Sequence, residues 1–208
     1  MNMAENKKGQ VLFIHGGDSF DSKADYYEFL RSREVDPYEE KPGKWRDSLA
    51  EKLEGEGFEY LFVAMPDRWN ADYTAWSIWF EKYLPYLDES PNVFVGHSLG
   101  ASFLLKYLAE NKLDTNVRQL HLVSPAIGFV PTHGLEKFAS AGMDLSLVAE
   151  QASEIHIYHS KDDEVVDYKD SEELAKVLPS AVLHTFTDRG HFLTPEFREI
   201  EEEILRLK

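Results

Sequence analysis

Six short apolar runs, separated by longer amphipathic stretches, set the narrowest limit on what this chain can fold into. The runs are Val11 to Ile14, Tyr60 to Ala64, Val93 to Val95, Gln119 to Val123, Ile155 to His159 and Ala181 to Phe186. Short apolar runs bounded by turn residues read as strands, and helical stretches between them are the signature of βα units on a mostly parallel sheet. Helices are expected near Trp45 to Glu54, Ala71 to Leu87, Ser98 to Asn111, Tyr168 to Leu178 and Pro195 to Leu207. Pro195 suits the first turn of the last one, with Thr194 as its N-cap. The expected fold class is therefore α/β, a mostly parallel sheet of six strands flanked by helices on both faces.

A chain of 208 residues suits one domain over 1–208. Two segments break its rhythm. Residues 18–44 form a long acidic, tyrosine-rich connection, and 125–151 carry Ile127, Phe129, Val130, Phe138, Met143 and Leu145. Both follow strand ends at the edge where open parallel sheets bind ligands, so both are expected as cap segments, the second as an apolar wall for an acyl group.

The composition excludes several classes. There is no cysteine, hence no disulfide framework, thiolate nucleophile or zinc-thiolate site, which fits a cytoplasmic protein. A formal net charge of −16 opposes nucleic acid and anionic membrane surfaces and disfavours polyanionic substrates. No apolar run reaches the roughly 20 residues of a membrane span. The first ten residues read as a short polar tail with no secretory stretch.

Gly96-His97-Ser98-Leu99-Gly100 lies where the run Asn92 to Val95 hands over to the helix beginning at Ala101. A serine on so sharp a strand-to-helix turn needs residues without side chains two positions before and two after, and both are glycine. Such a turn lifts the Ser98 hydroxyl above the sheet and leaves the Leu99 N–H at a helix start, aimed where an oxyanion would form. Phe13-Ile14-His15-Gly16-Gly17 ends the first run and can bring a second N–H to that point, from Gly17 or, failing that, Asp18. Neither a G-x-G-x-x-G fingerprint nor a P-loop lysine accompanies these glycines, so no cofactor is expected.

A serine nucleophile needs a base and an acid, which in such sheets follow on loops after later strands. His191, after the last run and beside Gly190, is the expected base. His121, His156 and His184 fall within strands, His133 lies in the second irregular segment, and His15 and His97 matter for their backbone turns. Asp162, Asp163, Asp167 and Asp188 all compete as the acid. His184, Asp188 and His191 could be imagined around a metal, but no H-E-x-x-H or comparable dense cluster is present and none is expected. Among Trp69, Tyr73, Trp76, Trp79 and Phe80 core packing is expected, with Trp69 a candidate pocket wall.

With these residues in place the chain resembles the α/β-hydrolases, and within them the compact serine hydrolases related to retinoblastoma-binding protein 9. The likeness rests on Phe13-Ile14-His15-Gly16, Gly96-His97-Ser98-Leu99-Gly100, Ser124-Pro125, Asp163 and Gly190-His191-Phe192. The run His159-Ser160-Lys161-Asp162-Asp163-Glu164-Val165-Val166 is similar to the His-Gly-x-x-Asp-x-x-Val pattern of many hydrolases, which selects Asp163. The resemblance implies a Ser98, His191, Asp163 triad with an oxyanion hole from Gly17 and Leu99. It further implies hydrolysis of carboxyl esters or related acyl bonds of a small-molecule substrate; an amidase, thioesterase, acyltransferase or perhydrolase would use the same residues. A protein-binding module on the hydrolase scaffold, docking a protein partner through 18–44, is the reading from a different class. The oligomeric state is not legible in the sequence.

Overall fold

All six apolar runs are strands, and all pair in parallel. The computed structural model describes residues 7–38, 43–130 and 134–207. Its strands are β1 (Gly9–Ile14), β2 (Phe58–Val63), β3 (Asn92–His97), β4 (Val117–Val123), β5 (Ala152–Ser160) and β6 (Ala181–Phe186), in the order β2-β1-β3-β4-β5-β6. The chain steps outward from β1 to β2, then returns to build every later strand on the opposite side of β1. The strand order thus reverses between β1 and β3, whose register pairs Ile14 with Gly96. Loops leaving the two strands part there and open a crevice above their C-terminal ends.

Strands buried on both faces read as continuous apolar runs, with alternate residues sorted to opposite sides. Val11, Phe13, Val93 and Val95 face α2 (Trp45–Gly55) and α7 (Arg198–Leu205), meeting Trp45, Leu49, Ile200 and Ile204. Leu12, Ile14, Phe94, Leu120 and Leu122 face the other layer, which holds α3 (Tyr73–Glu81), α4 (Leu99–Glu110), α5 (Ser146–Gln151) and α6 (Tyr168–Val177). Trp76 and Phe80 of α3 are fully buried, and the Trp76 indole donates to the Pro66 carbonyl at 2.8 Å.

The long connection after β1 contains a helix, α1 (Lys23–Ser32), capped by Ser22, whose side chain accepts the Asp25 N–H. It buries none of its residues. The expected helix over 71–87 is divided: α3 ends at Glu81, and a 3₁₀ turn, Leu84–Tyr86, follows. Pro85 explains the division, since proline cannot continue the i to i−4 ladder. The last helix begins at Arg198, three residues later than expected, with Phe197 rather than Thr194 at its N-cap. Thr194 has other work, because its hydroxyl donates to the Glu196 carbonyl and its own carbonyl takes the Trp45 N–H at 2.9 Å.

Segment 125–151 is drawn into the core. Ile127, Phe138, Leu145 and Val148 are buried there, and Asp170 of α6 accepts the N–H groups of Ile127, Gly128 and Val130 at 2.9, 3.2 and 2.8 Å. Among the described residues no helix is long and apolar enough to cross a membrane.

Candidate active site

Ser98 has φ 55° and ψ −124°, a conformation costing an L-residue roughly 1–3 kcal/mol. The surroundings over-determine it. Ser98 N–H donates to the Val123 carbonyl at 2.8 Å, while its carbonyl accepts from Ala101 and Ser102 N–H at 2.9 and 3.1 Å. A methyl group on Gly96 would lie 2.6 Å from the Ala101 nitrogen, and one on Gly100 only 2.4 Å from the Ile14 carbonyl oxygen. Both contacts are to backbone, so glycine at each position is what lets α4 rise directly from the sheet.

β1 brings its glycines to the same place. A methyl on Gly16 would be 3.0 Å from Ser98 Cβ, and one on Gly17 would be 2.5 Å from the Arg68 carbonyl oxygen. His15 clamps this turn: its Nδ1 donates to the Gly16 carbonyl at 2.6 Å and its Nε2 accepts the Met65 N–H at 2.9 Å. Asp18 N–H is spent on the Arg68 carbonyl at 2.8 Å. The N–H groups of Gly17 and Leu99 donate to no protein acceptor among the described residues.

His191 follows β6 on a loop held from several sides. Its carbonyl accepts from His97 Nε2 at 3.0 Å, Arg189 N–H donates to Ser160 Oγ at 3.1 Å, and Gly190 N–H to Asp162 Oδ1 at 3.0 Å. Gly190 and Phe192 both have positive φ, at 50° and 54°. Phe192 is buried between Phe186 and Phe197, which anchors the loop to the core.

The adjacent aspartates divide the labour. Asp162 ties down the backbone of the histidine loop, whereas Asp163 meets the ring, its two oxygens 2.8 and 3.1 Å from His191 Nδ1. Asp163 Oδ1 also accepts the N–H groups of Val165 and Val166 at 2.9 and 3.0 Å. His159, fully buried, brings Nε2 to 3.3 Å from Asp163 Oδ2 and 3.0 Å from the Val166 carbonyl, its Nδ1 lying 2.7 Å from Ser171 Oγ. Burial opposes ionisation of Asp163, but the hydrogen bonds from His159 and His191 outweigh it and hold the carboxyl far below the usual carboxylate range. Donation of the Nδ1 proton to that carboxylate leaves Nε2 as the acceptor of the ring.

Ser98 and His191 line one cavity of about 480 Å³, with His15, Gly17, Trp45 and Leu193 among its walls. Among the described residues no hydrogen bond joins the Ser98 hydroxyl to the ring. None of the described residues of 125–151 lines the cavity; the wall expected from Ile127 and Phe138 comes instead from β1, the start of α2 and the histidine loop, because those apolar side chains pack into the core. Asp18, Gly43 and Lys44 bring the ends of 18–44 to the rim. A larger depression of about 1020 Å³, between the 84–92 and 107–118 segments, lies at the opposite end of the strands.

The remaining candidates have structural partners. Asp167 caps α6, and Asp188 is an exposed carboxylate 3.8 Å from Arg189. His121, His156 and His184 stack with Tyr158 across β4, β5 and β6, and His156 Nδ1 lies 3.0 Å from His184 Nε2. Trp69 stands outside the cavity lining, against Phe29 of α1. His133 lies outside the described residues. Among the described residues no group of three His, Asp or Glu side chains is arranged to hold a metal ion. Sequence reasoning passed over His159, although it opens the very run that singled out Asp163.

The serine hydrolase family model matches residues 36–205. The chain belongs to this family. Serine hydrolase RBBP9 of Rattus norvegicus is 31% identical over 149 residues, 69% of this chain and 75% of the relative. YdeN of Bacillus subtilis (strain 168) is 28% identical over 153 residues, 73% of this chain and 80% of the relative. The crystal structure of the B. subtilis ydeN gene product superposes with a TM-score of 0.75 at 23% identity, covering 95% of this chain and 97% of that one. Est1E of Butyrivibrio proteoclasticus, solved with ferulic acid bound, gives 0.61 at 16% identity over 95% and 87% of the two chains. The fold is that of the α/β-hydrolases, and this serine hydrolase is an enzyme.

Proposed function

We propose that this serine hydrolase cleaves carboxyl esters through a Ser98, His191, Asp163 triad and an acyl-enzyme intermediate. The observation that carries the reading is the bond from His191 Nδ1 to the buried Asp163 carboxylate at 2.8 Å, on a ring sharing a cavity with the strained Ser98. Ser98 Oγ attacks the ester carbonyl while His191 Nε2 takes its proton, and Asp163 stabilises the imidazolium that results. The N–H groups of Leu99 and Gly17 receive the oxyanion, each worth on the order of 3 kcal/mol of barrier. Gly17 is preferred to Asp18 because the Asp18 N–H already serves Arg68. His191 then returns the proton to the departing alcohol, and a water molecule activated by the same ring releases the acid. The missing hydrogen bond between serine and ring is expected to form as substrate seats, since such bonds are often long before the Michaelis complex.

A fold neighbour from Exiguobacterium antarcticum is an esterase, which supports esters over amides. On the absence of cysteine we assign the activity to the cytoplasm. Segments 18–44 and 125–151 belong to the same domain in this reading, the first reaching the cavity rim. The test is labelling by a fluorophosphonate probe and turnover of 4-nitrophenyl butyrate. Wild type should do both, and Ser98→Ala neither while keeping its circular dichroism. Labelling that persists in Ser98→Ala would remove the serine from the mechanism.

A further inference from the structure

Across the whole chain acidic residues outnumber basic ones by 38 to 22. Around Ser98 the balance reverses among the described residues: Arg46 and Arg68, with Lys44, line the cavity against the one carboxylate of Asp18. We propose that the substrate carries a carboxylate besides the ester, received by Arg68 and Arg46 at the rim. This rests on the hydrolase reading above and names the class of ester it takes.

Arg68 is placed for the task by its backbone. Its carbonyl accepts the Asp18 N–H and sits against Gly17, so its side chain departs from beside the proposed oxyanion donor. No carboxylate among the described residues lies within ion-pair distance of its guanidinium, which lies over the Trp69 ring at 5.9 Å. Arg46 is held more firmly. Its guanidinium lies over the Phe62 ring at 4.6 Å and its Nε donates to Asp47 at 3.1 Å, while its two amino groups donate to no protein acceptor among the described residues. A guanidinium stacked on an aromatic face keeps its plane and loses little freedom when it takes a planar carboxylate.

Both cations reach the site electrostatically. Burial, and then their charges, push the His15 ring below its ordinary value. In a cleft walled by apolar side chains such a field attracts an anion more strongly than it would at an open surface. Asp18 limits the charge the cleft will accept, which favours a carboxylate over a phosphate dianion.

The test compares esters that differ in one charge. Mono-4-nitrophenyl adipate against 4-nitrophenyl hexanoate places the carboxylate on the acyl side; 3-(butanoyloxy)benzoate against its methyl ester places it on the alcohol side. In one pair the anion should lead in kcat/KM by about fivefold or more at low ionic strength, an advantage that shrinks about threefold in 0.5 M NaCl. Arg68→Gln should cut the anion-to-neutral ratio about tenfold, chiefly through KM, and Arg68→Lys should retain most of it. Neutral esters cleaved as well as their anions in both pairs, or a ratio unmoved by Arg68→Gln, would overturn this inference alone. If no ester is cleaved and the fluorophosphonate leaves Ser98 unreacted, the hydrolase reading fails first and takes this one with it.

Discussion

Replacing Asp163 with asparagine keeps the shape of the side chain and removes its charge, so it isolates what that charge does. The carboxylate lies 2.8 Å from His191 Nδ1 and is held by the N–H groups of Val165 and Val166. When the ring takes the serine proton, two opposite charges centred about 4 Å apart attract by roughly 4 kcal/mol at an effective dielectric constant of about 20. Since about 1.4 kcal/mol is a factor of ten in rate, losing that attraction lowers kcat about 10³-fold. The amide can also present N–H where the ring needs an acceptor, favouring the wrong tautomer and adding about another tenfold. Asp162→Asn is the matched control. Its remaining oxygen can still accept the Gly190 N–H, so kcat should stay within about threefold of wild type. The assay is single-turnover and steady-state cleavage of 4-nitrophenyl butyrate, on protein whose fold is checked by circular dichroism. Equal losses in the two variants, or an Asp163→Asn enzyme with a tenth of wild-type kcat, would refute the assignment of roles.

Gly100→Ala should destabilise the fold by about 2 kcal/mol or more in urea titration, because the added methyl meets the Ile14 carbonyl at 2.4 Å and forces α4 off β1. Unchanged stability would show that the close approach is dispensable. Asp170→Asn should cost about 2 kcal/mol in the same titration while kcat holds, since three N–H groups of the 127–130 turn converge on that carboxylate. Acid should destabilise the protein well above the carboxylate range. Burial, and then the charge of His191, push His97 down to about 3, and burial lowers His121, His156 and His184 as well. Below pH about 6.5 the unfolded histidines gain protons that the folded ones refuse, so stability present above 6.5 is lost as pH falls. For His97 alone, whose window runs down to about 3, the loss at pH 5 is about 2 kcal/mol. Equal unfolding free energies at pH 7.5 and 5 would contradict this.

How much of this was legible in the sequence follows from where the side chains go. The four inner strands could be read because they are packed on both faces, and the edge strands β2 and β6, though half exposed, through their aromatic and branched side chains between turn residues. α1 could not, because its few apolar residues, Tyr26, Phe29 and Leu30, stand among charged ones in a short helix that fully buries none of them. The elbow at Ser98 and the turn before His191 were legible through glycines whose neighbours leave no room or whose φ is positive. Local spacing offered no choice between Asp162 and Asp163; their side chains part only when the turn after β5 is folded, one toward a backbone and one toward a ring. His159 looked like any strand histidine, since the groups it meets, Ser171 and Val166, come from later in the chain. The basic lining of the cavity was hidden for the same reason: Arg68 lies far along the chain from Lys44 and Arg46 and joins them only in the fold.

The switch between β1 and β3 divides the site along the chain, with the proposed nucleophile and oxyanion donors synthesised by residue 99 and the proposed acid and base after residue 160. The proposed nucleophile is therefore synthesised, and its turn fixed once β4 is in place, well before the proposed base that would deprotonate it. In the proposed mechanism the growing polypeptide would thus carry a nucleophile without its base until the loop after β6 is made, the loop whose Thr194 carbonyl takes the Trp45 N–H.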